Sequence, residues 1–258
     1  MKKITAIIPT FNEQERIKNS LKSAQFADEI IVIDSFSTDD TISIVKKSNA
    51  ILLQRKFDNF SNQKNYAIQK ATHDWIIWID ADEVLTSELQ KEIRDAVNNP
   101  RLNVGFYIRR VFFFKGKKMR FTGTQNDKLI RLFNRNHCHY EGIVHEKITT
   151  KGKLGYLKHK ILHYSYINFD KYITKLNQHS ALKAQELYDK GLTITPFHIF
   201  VKPIARFIKH YFVKLGVFDG FYGFIISFAL SYGVLVRYIK LWNLKQKYGK
   251  HDDQNKQG

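Results

Sequence analysis

Trp75-Ile76-Ile77-Trp78-Ile79-Asp80-Ala81-Asp82-Glu83 decides the fold. Five bulky apolar residues in a row read as a strand buried on both faces, and the run ends in three carboxylates within four positions. In extended backbone, residues two apart point the same way, so Asp80 and Asp82 can address one centre with the small Ala81 between them. Oxygen ligands of this kind suit Mg²⁺ or Mn²⁺, ions commonly held by one or two carboxylates together with substrate phosphates. The same residues have a purely structural reading, in which Asp82 or Thr86 opens the helix that 87–97 predicts.

Outward from this strand, the first hundred residues alternate strand and helix patterns. Residues 4–8 are an apolar run closed by Pro9, and Asn12-Glu13-Gln14-Glu15 then opens an amphipathic helix with Ile17, Leu21 and Ala24 on one face. Residues 29–33 and 50–53 read as further strands, with a helix carrying Ile42, Ile44 and Val45 after cap chemistry at 37–40, and another over 60–71. Four strands separated by helices predict a mixed, mostly parallel α/β sheet covered on both faces, and ligands of such sheets sit outside the carboxyl ends of the strands. Three of the four strands end in polar clusters: Thr10-Phe11-Asn12-Glu13, Asp34-Ser35 and Asp80-Ala81-Asp82. No glycine-rich phosphate loop follows any of them, so a diphosphate bound here needs a metal.

Charge divides the 258 residues unevenly. Residues 1–100 carry 13 Lys and Arg against 15 Asp and Glu, 101–165 carry 15 against 3, and 196–250 carry 9 against 1. The positive excess therefore belongs to the later segments and points to an anionic partner. The single cysteine, Cys138, excludes an intrachain disulfide, and the apolar run at 4–8 is too short for a signal peptide. Both features lead to the expectation of a cytoplasmic protein.

Ile8-Pro9-Thr10-Phe11-Asn12-Glu13, Asp34-Ser35-x-Ser37-x-Asp39-x-Thr41, Gln63-Lys64-Asn65-x-Ala67 and Trp78-Ile79-Asp80-Ala81-Asp82-Glu83 resemble, in this order, the motifs of family-two inverting glycosyltransferases with the GT-A fold. The closer resemblance is to bacterial lipopolysaccharide core glucosyltransferases, over about the first two hundred residues. It implies that Pro9, Thr10, Asn12 and Glu13 line the nucleotide pocket, that Asp34 contacts uracil or ribose, and that Lys64, Asn65 and Asp80 reach the nucleotide sugar. It further implies that Asp82 holds a divalent ion on the diphosphate and that His163 is a late metal ligand. Glu146, in Gly142-Ile143-Val144-His145-Glu146, resembles the family's catalytic acidic residue. Asp127 is the alternative base among the three carboxylates of the basic segment, and His145 is a candidate for orienting the acceptor. Arg131 has two readings, a bidentate phosphate partner or a strand-edge cation facing solvent.

The expected organisation is a transferase domain over 1–195, with a nucleotide half at 1–100 and a basic acceptor half at 101–165. Arg109, Arg110, Lys115, Lys117, Lys118 and Arg120 are placed on the acceptor side. A membrane-associating tail follows at 196–250 and a disordered end at 251–258. In the tail, Phe200, Ile204, Phe207, Ile208, Tyr211, Phe212 and Leu215 recur at helical spacing against Lys202, Arg206, Lys209, His210 and Lys214, the pattern of a basic helix lying on an anionic membrane. Residues 220–236 are uncharged but short for crossing a bilayer, and 240–250 read as solvated. The implied reaction moves a sugar, glucose by resemblance, from a UDP-sugar donor to a lipopolysaccharide inner-core or similar glycolipid. It would take place on the cytoplasmic face of the inner membrane. Two other readings stand beside it: a basic nucleic-acid-binding protein, which leaves the strand-end carboxylates unexplained, and an inactive membrane-associated nucleotide-sugar-binding protein.

Overall fold

The computed structural model describes residues 1–123, 127–142, 147–166 and 169–254. Contacts divide the chain into two units, Met1–Phe112 with Asn126–Ser165, and Phe113–Gln125 with Tyr166–Gly258.

The first unit opens with β1 (Ile4–Thr10), α1 (Ile17–Ala24), β2 (Glu29–Asp34), α2 (Thr41–Lys46), β3 (Ile51–Gln54), α3 (Phe60–Lys70) and β4 (Trp75–Trp78). The four strands are parallel, with Ile7 of β1 opposite Ile31 on one side and Trp78 on the other. Then come β5 (Glu83–Leu85), α4 (Ser87–Asn98), β6 (Asn103–Phe114), β8 (Lys128–Asn134), β9 (His139–Glu141), β10 (Lys147–Thr149) and β11 (Lys153–Tyr166), whereas the short β7 (Lys117–Lys118) belongs to the second unit. The main sheet runs β3-β2-β1-β4-β8-β6-β11-β5, turning antiparallel where β8 joins β4. Strands β9 and β10 form a separate hairpin.

Alternation along the central strands builds a core on each face. Ile4, Ala6, Ile8, Trp75, Ile77 and Ile79 pack with Leu21 of α1 and Leu89 and Ile93 of α4, whereas Ile7, Ile76 and Trp78 pack with Ala67 and Ile68 of α3. The expectation of a strand buried on both faces holds. Of the two expected caps for α4, Thr86 serves: its hydroxyl accepts from the Leu89 N–H at 3.3 Å. Asp82 is left for other contacts.

The second unit contains α5 (Phe169–Asp189), α6 (Lys202–Ile208) and α7 (Phe221–Gln254). Residues 166–195, grouped from sequence with the transferase part, lie here because α5 packs on α7: Ala184 meets Val234, Tyr238 and Leu241, and the Ser180 hydroxyl donates to the Gly233 carbonyl at 2.9 Å. The helix expected over 196–215 is divided. Two π-type turns, Phe197–Val201 and Lys209–Val213, flank α6, and these wider turns suit the four-residue spacing of Phe200, Ile204, Ile208 and Phe212, all exposed. The chain then reverses through Leu215, left-handed at φ 59°. Gly223 is required there, since a Cβ on it would lie 1.9 Å from the Gly216 carbonyl oxygen. Helix α7 continues through 240–250 rather than ending before them, because Leu241 and Leu244 prolong the stripe begun by Val234 and Tyr238.

His210, expected on the basic face of the tail helix, is instead buried in this unit because its Nδ1 donates to the Thr122 carbonyl at 2.7 Å. Burial lowers its pKa, the Thr122 contact opposes this, and Arg206, Lys214 and Lys209 lower it further. The unfolded chain therefore binds the His210 proton more readily. Stability contributed at this position is present at neutral pH and lost as pH falls below about 6.5. Urea unfolding of the full chain at several pH values is expected to show this loss, and His210→Gln is expected to flatten the dependence between about pH 7 and pH 5.

Candidate active site

The carboxyl ends of β1, β2 and β4 are tied together by their own polar side chains. Asn12 takes a left-handed backbone at φ 54°, which asparagine tolerates. Its N–H donates to the Ser37 hydroxyl and its side-chain oxygen accepts from the Thr38 N–H, both at 2.8 Å. The Glu13 N–H donates to the Thr41 hydroxyl at 2.8 Å, and the Thr10 carbonyl accepts from the Ser35 N–H at 3.0 Å. Asp34 is fully buried and closes the loop after β2, accepting from the Ser37 N–H at 2.9 Å, the Ser37 hydroxyl at 2.5 Å and the Gln54 amide at 3.3 Å. Pro9, Thr10, Asn12, Glu13 and Asp34 are thus assembled at neighbouring strand ends. Phe11 and Phe36, which the sequence reading passed over, are more than half exposed in these same loops, and Phe36 is also left-handed at φ 62°.

At the end of β4 the carboxylates separate into two groups. Asp80 turns to Arg131 of β8, whose guanidinium is bidentate to it and also donates to Glu83 at 2.7 Å. The Trp78 indole N–H donates to Asp80 at 3.2 Å, and the Asp80 N–H donates to the second oxygen of Glu83 at 2.9 Å. Arg110 of β6 extends the network, donating to Glu83 at 3.2 Å and through Nε to Asp127 at 2.5 Å. Burial works against ionisation of Asp80, but Arg131, Lys64 and Arg110 together hold its carboxyl well below the usual range; burial opposes the Arg131 charge as well, and Asp80 and Glu83 restore it.

Arg131 is therefore neither solvent-facing nor available as a free phosphate ligand, because it is buried and committed to Asp80 and Glu83. Arg110 and Asp127 are engaged with each other. Lys64 lies over the rings of Trp78 and Tyr140, at 5.1 and 4.4 Å from their centroids, with its charge felt at Asp80. Asn65 clasps the backbone of Tyr140 in β9, donating to its carbonyl at 2.9 Å and accepting from its N–H at 3.0 Å.

The second group centres on Asp82. His163 of β11 approaches with Nε2 at 3.2 Å from one Asp82 oxygen, and Arg16 stands 3.7 Å from the other. Both Asp82 and His163 are buried. Strand pairing sets this meeting, since His163 lies opposite Glu83 and the Tyr164 N–H donates to the Asp82 carbonyl at 2.9 Å. Arg16 also contacts Glu13 at 2.8 Å and donates to the Tyr164 carbonyl at 3.2 Å, joining the β1 loop to β11. Sequence reading missed Arg16; the available signal was a lone cation following four uncharged or acidic residues at a strand end.

One carboxylate and one imidazole form a donor set that suits Mg²⁺ or Mn²⁺ when a diphosphate completes the shell. Among the described residues no group of three or more His, Cys, Asp or Glu converges on such an ion; Asp82 and His163 are a pair that could hold one together with a diphosphate. Glu146 and His145 lie outside the described residues.

Residues 5–170 match the model of Glycosyl transferase family 2. The chain belongs to that family. It is a glycosyltransferase with a GT-A-like fold, and its relatives are named as glycosyltransferases. An uncharacterized glycosyltransferase of Rickettsia typhi is 30% identical over 96% of this chain and 89% of its own length. The lipopolysaccharide core biosynthesis glycosyltransferase LpsC of Rhizobium meliloti is 26% identical over 81% of this chain and 80% of its own. A crystal structure of glucosyl-3-phosphoglycerate synthase from Mycobacterium tuberculosis with Mn²⁺, UDP and glucosyl-3-phosphoglycerate is 19% identical, with a TM-score of 0.37 over 43% of this chain and 44% of that one. So slight a likeness carries no argument about donor or metal.

In this glycosyltransferase, replacing Arg131 leaves the fully buried Glu83 and its neighbour Asp80 short of a counter-charge. Arg131→Gln is expected to lower the unfolding free energy by about 3–5 kcal/mol, measured by chemical denaturation. Arg131→Lys is expected to recover only part of this, because an ammonium cannot bridge two carboxylates as a fork does.

Proposed function

We propose that this transferase moves a sugar, glucose by resemblance, from a UDP-sugar to a lipopolysaccharide inner-core or related glycolipid acceptor, with inversion at the anomeric carbon. The observation that carries the donor side is the meeting of Asp82 and His163 at 3.2 Å beside Asp80, where three parallel strands present their carboxyl ends. Asn12, Glu13 and Asp34 shape the nucleotide side of that edge, and Arg131 sets the orientation of Asp80 toward the donor's ribose or sugar. The name of LpsC and the basic composition of 101–165 support a phosphorylated, lipid-linked acceptor.

In the proposed reaction an acceptor hydroxyl oxygen forms the new bond to the anomeric carbon as the bond from that carbon to the phosphate oxygen breaks, releasing UDP. The hydroxyl proton passes to Glu146 as general base. A divalent ion at Asp82 and His163 would supply Lewis-acid stabilisation of the leaving phosphate's charge. Asp127 is the less suitable base, since Arg110 holds its carboxylate at 2.5 Å.

We place this reaction at the cytoplasmic face of a membrane, and the second unit supports the membrane contact. Phe221–Tyr248 of α7 is long and apolar enough to cross a bilayer by length and composition. Because Val234, Tyr238 and Leu241 on one face of α7 are buried with Ala184 of α5, we favour embedding in one leaflet.

Isothermal titration with UDP tests the donor site. Wild-type protein is expected to bind UDP in Mn²⁺ and to lose most of that affinity in EDTA, with Asp82→Ala behaving in Mn²⁺ as wild type does in EDTA. Folded wild-type protein that binds no nucleoside diphosphate under either condition would remove the donor reading. Glu146→Gln is expected to keep UDP affinity while turnover of a UDP-sugar falls by about 10²–10⁴-fold; turnover near the wild-type rate would exclude Glu146 as the base.

A further inference from the structure

Two arginines of the second unit are left without a counter-charge. Arg206 lies on α6 and Arg237 on α7, and these helices are held together by hydrogen bonds from the Ser231 hydroxyl to the Pro203 carbonyl at 2.7 Å and from Lys202 Nζ to the Tyr238 hydroxyl at 2.9 Å. Both arginines are half-buried, and in both the Nε atom is buried with no hydrogen-bond acceptor. Neither guanidinium makes an ion pair or hydrogen bond with any described residue. Asp219, the one carboxylate between 196 and 250, is already spent on the backbone N–H groups of Arg120 and Phe121, at 3.0 and 2.9 Å. Burial, and then the nearby charge of Arg237, push the Arg206 pKa down.

Half-buried donors with like charge and no acceptor are costly, and folded proteins nearly always satisfy them. An anion inserted between the two would remove both costs, and guanidinium forks suit the oxygens of a phosphate. The surroundings select its carrier. Phe200, Ile204, Ile208 and Phe212 form an exposed apolar line along the segment that bears Arg206, and Phe221 and Phe228 of α7 are exposed as well. Soluble phosphate makes no use of such a surface, whereas an amphiphile fills both parts, with chains against the aromatic residues and head group at the cations. We propose that Arg206 and Arg237 form a binding site for the phosphate group of an anionic membrane lipid. The site rests on the reading that this unit touches a membrane, and it adds a specific head-group contact to that reading.

Vesicle flotation of the full-length chain tests it, using phosphatidylcholine alone and phosphatidylcholine mixed with phosphatidylglycerol. Two variants remove equal charge: Arg206→Gln with Arg237→Gln, and Lys209→Gln with Lys247→Gln at exposed positions. The arginine variant is expected to lose about tenfold or more of the affinity for the anionic vesicles, a loss of the size given by charge-assisted hydrogen bonds. The lysine variant is expected to lose only a few-fold, and added salt is expected to erase the lysine effect before the arginine effect. Equal losses in the two variants, or none in the arginine variant, would overturn the site while leaving membrane association intact. Wild-type protein that floats with neither vesicle would remove the membrane reading and the site together. Release from vesicles by millimolar glycerol phosphate would show that free phosphate suffices and overturn the lipid assignment. The arginine variant is expected to retain UDP binding and to melt no lower than wild type, since it relieves a repulsion; a markedly lower melting temperature would make the pair structural and defeat the proposal.

Discussion

The Arg131 guanidinium, inserted between Asp80 and Glu83 beneath the end of β4, is the constraint on which the site depends. A buried cation is costly unless its donors are met, and here the two terminal nitrogens are met by both oxygens of Asp80 and one of Glu83, while Nε is buried without an acceptor. The other Glu83 oxygen accepts from the Asp80 backbone N–H, so the turn after β4 is closed by the same carboxylate that balances the arginine. Little net stability need come from such a network. Its effect is to allow one conformation of the Asp80-Ala81-Asp82 segment, in which Asp80 faces β8 and Asp82 faces β11.

That division explains how two carboxylates two residues apart serve different ends. Extended backbone alone would aim them together, but the turn at Asp80 ends the strand geometry and separates them. Asp82 then meets His163 and Arg16, groups from β11 and from the segment after β1. Because Arg16 also grips Glu13, and the N–H of Glu13 is held by Thr41, the loops after β1, β2 and β4 are linked through side chains rather than strand pairing. The strand ends act as one edge because each loop's orphaned polar groups are satisfied by its neighbour.

The parallel half of the fold was legible because its signal is local: apolar runs of four to six residues, each followed by cap chemistry and a helix. The carboxyl-edge residues could be named for the same reason. What could not be read was the partner of each one. Arg131 sits in an apolar run that reads equally well as an edge strand, and only the pairing of β8 with β4 turns it inward to Asp80. Asn65 carries a motif position, yet its amide closes on the β9 backbone, a strand 75 positions further along the chain. The tail was misdivided where charge masked periodicity. Lys240, Lys245 and Lys247 made the segment look solvated, although Leu241 and Leu244 continue the packed stripe of α7.

Charge follows a different logic in the two units. In the first, every buried arginine of the site has a carboxylate within reach, so the positive excess of 101–165 is partly consumed inside the protein: Arg110 and Arg131 between them engage Asp80, Glu83 and Asp127. In the second, residues 196–250 hold nine cations and the single carboxylate Asp219, which is taken up by backbone N–H groups of the hairpin after β6. Glu186 of α5 pairs with Lys183 and Lys190, but Arg206 and Arg237 have no such partner among the described residues. A helical unit that exposes a line of phenylalanine and isoleucine beside unneutralised arginines has left both its apolar and its electrostatic requirements to the surroundings, and an anionic lipid surface meets the two at once. The same imbalance would be a liability in water, where exposed apolar surface favours association and half-buried like charges oppose folding.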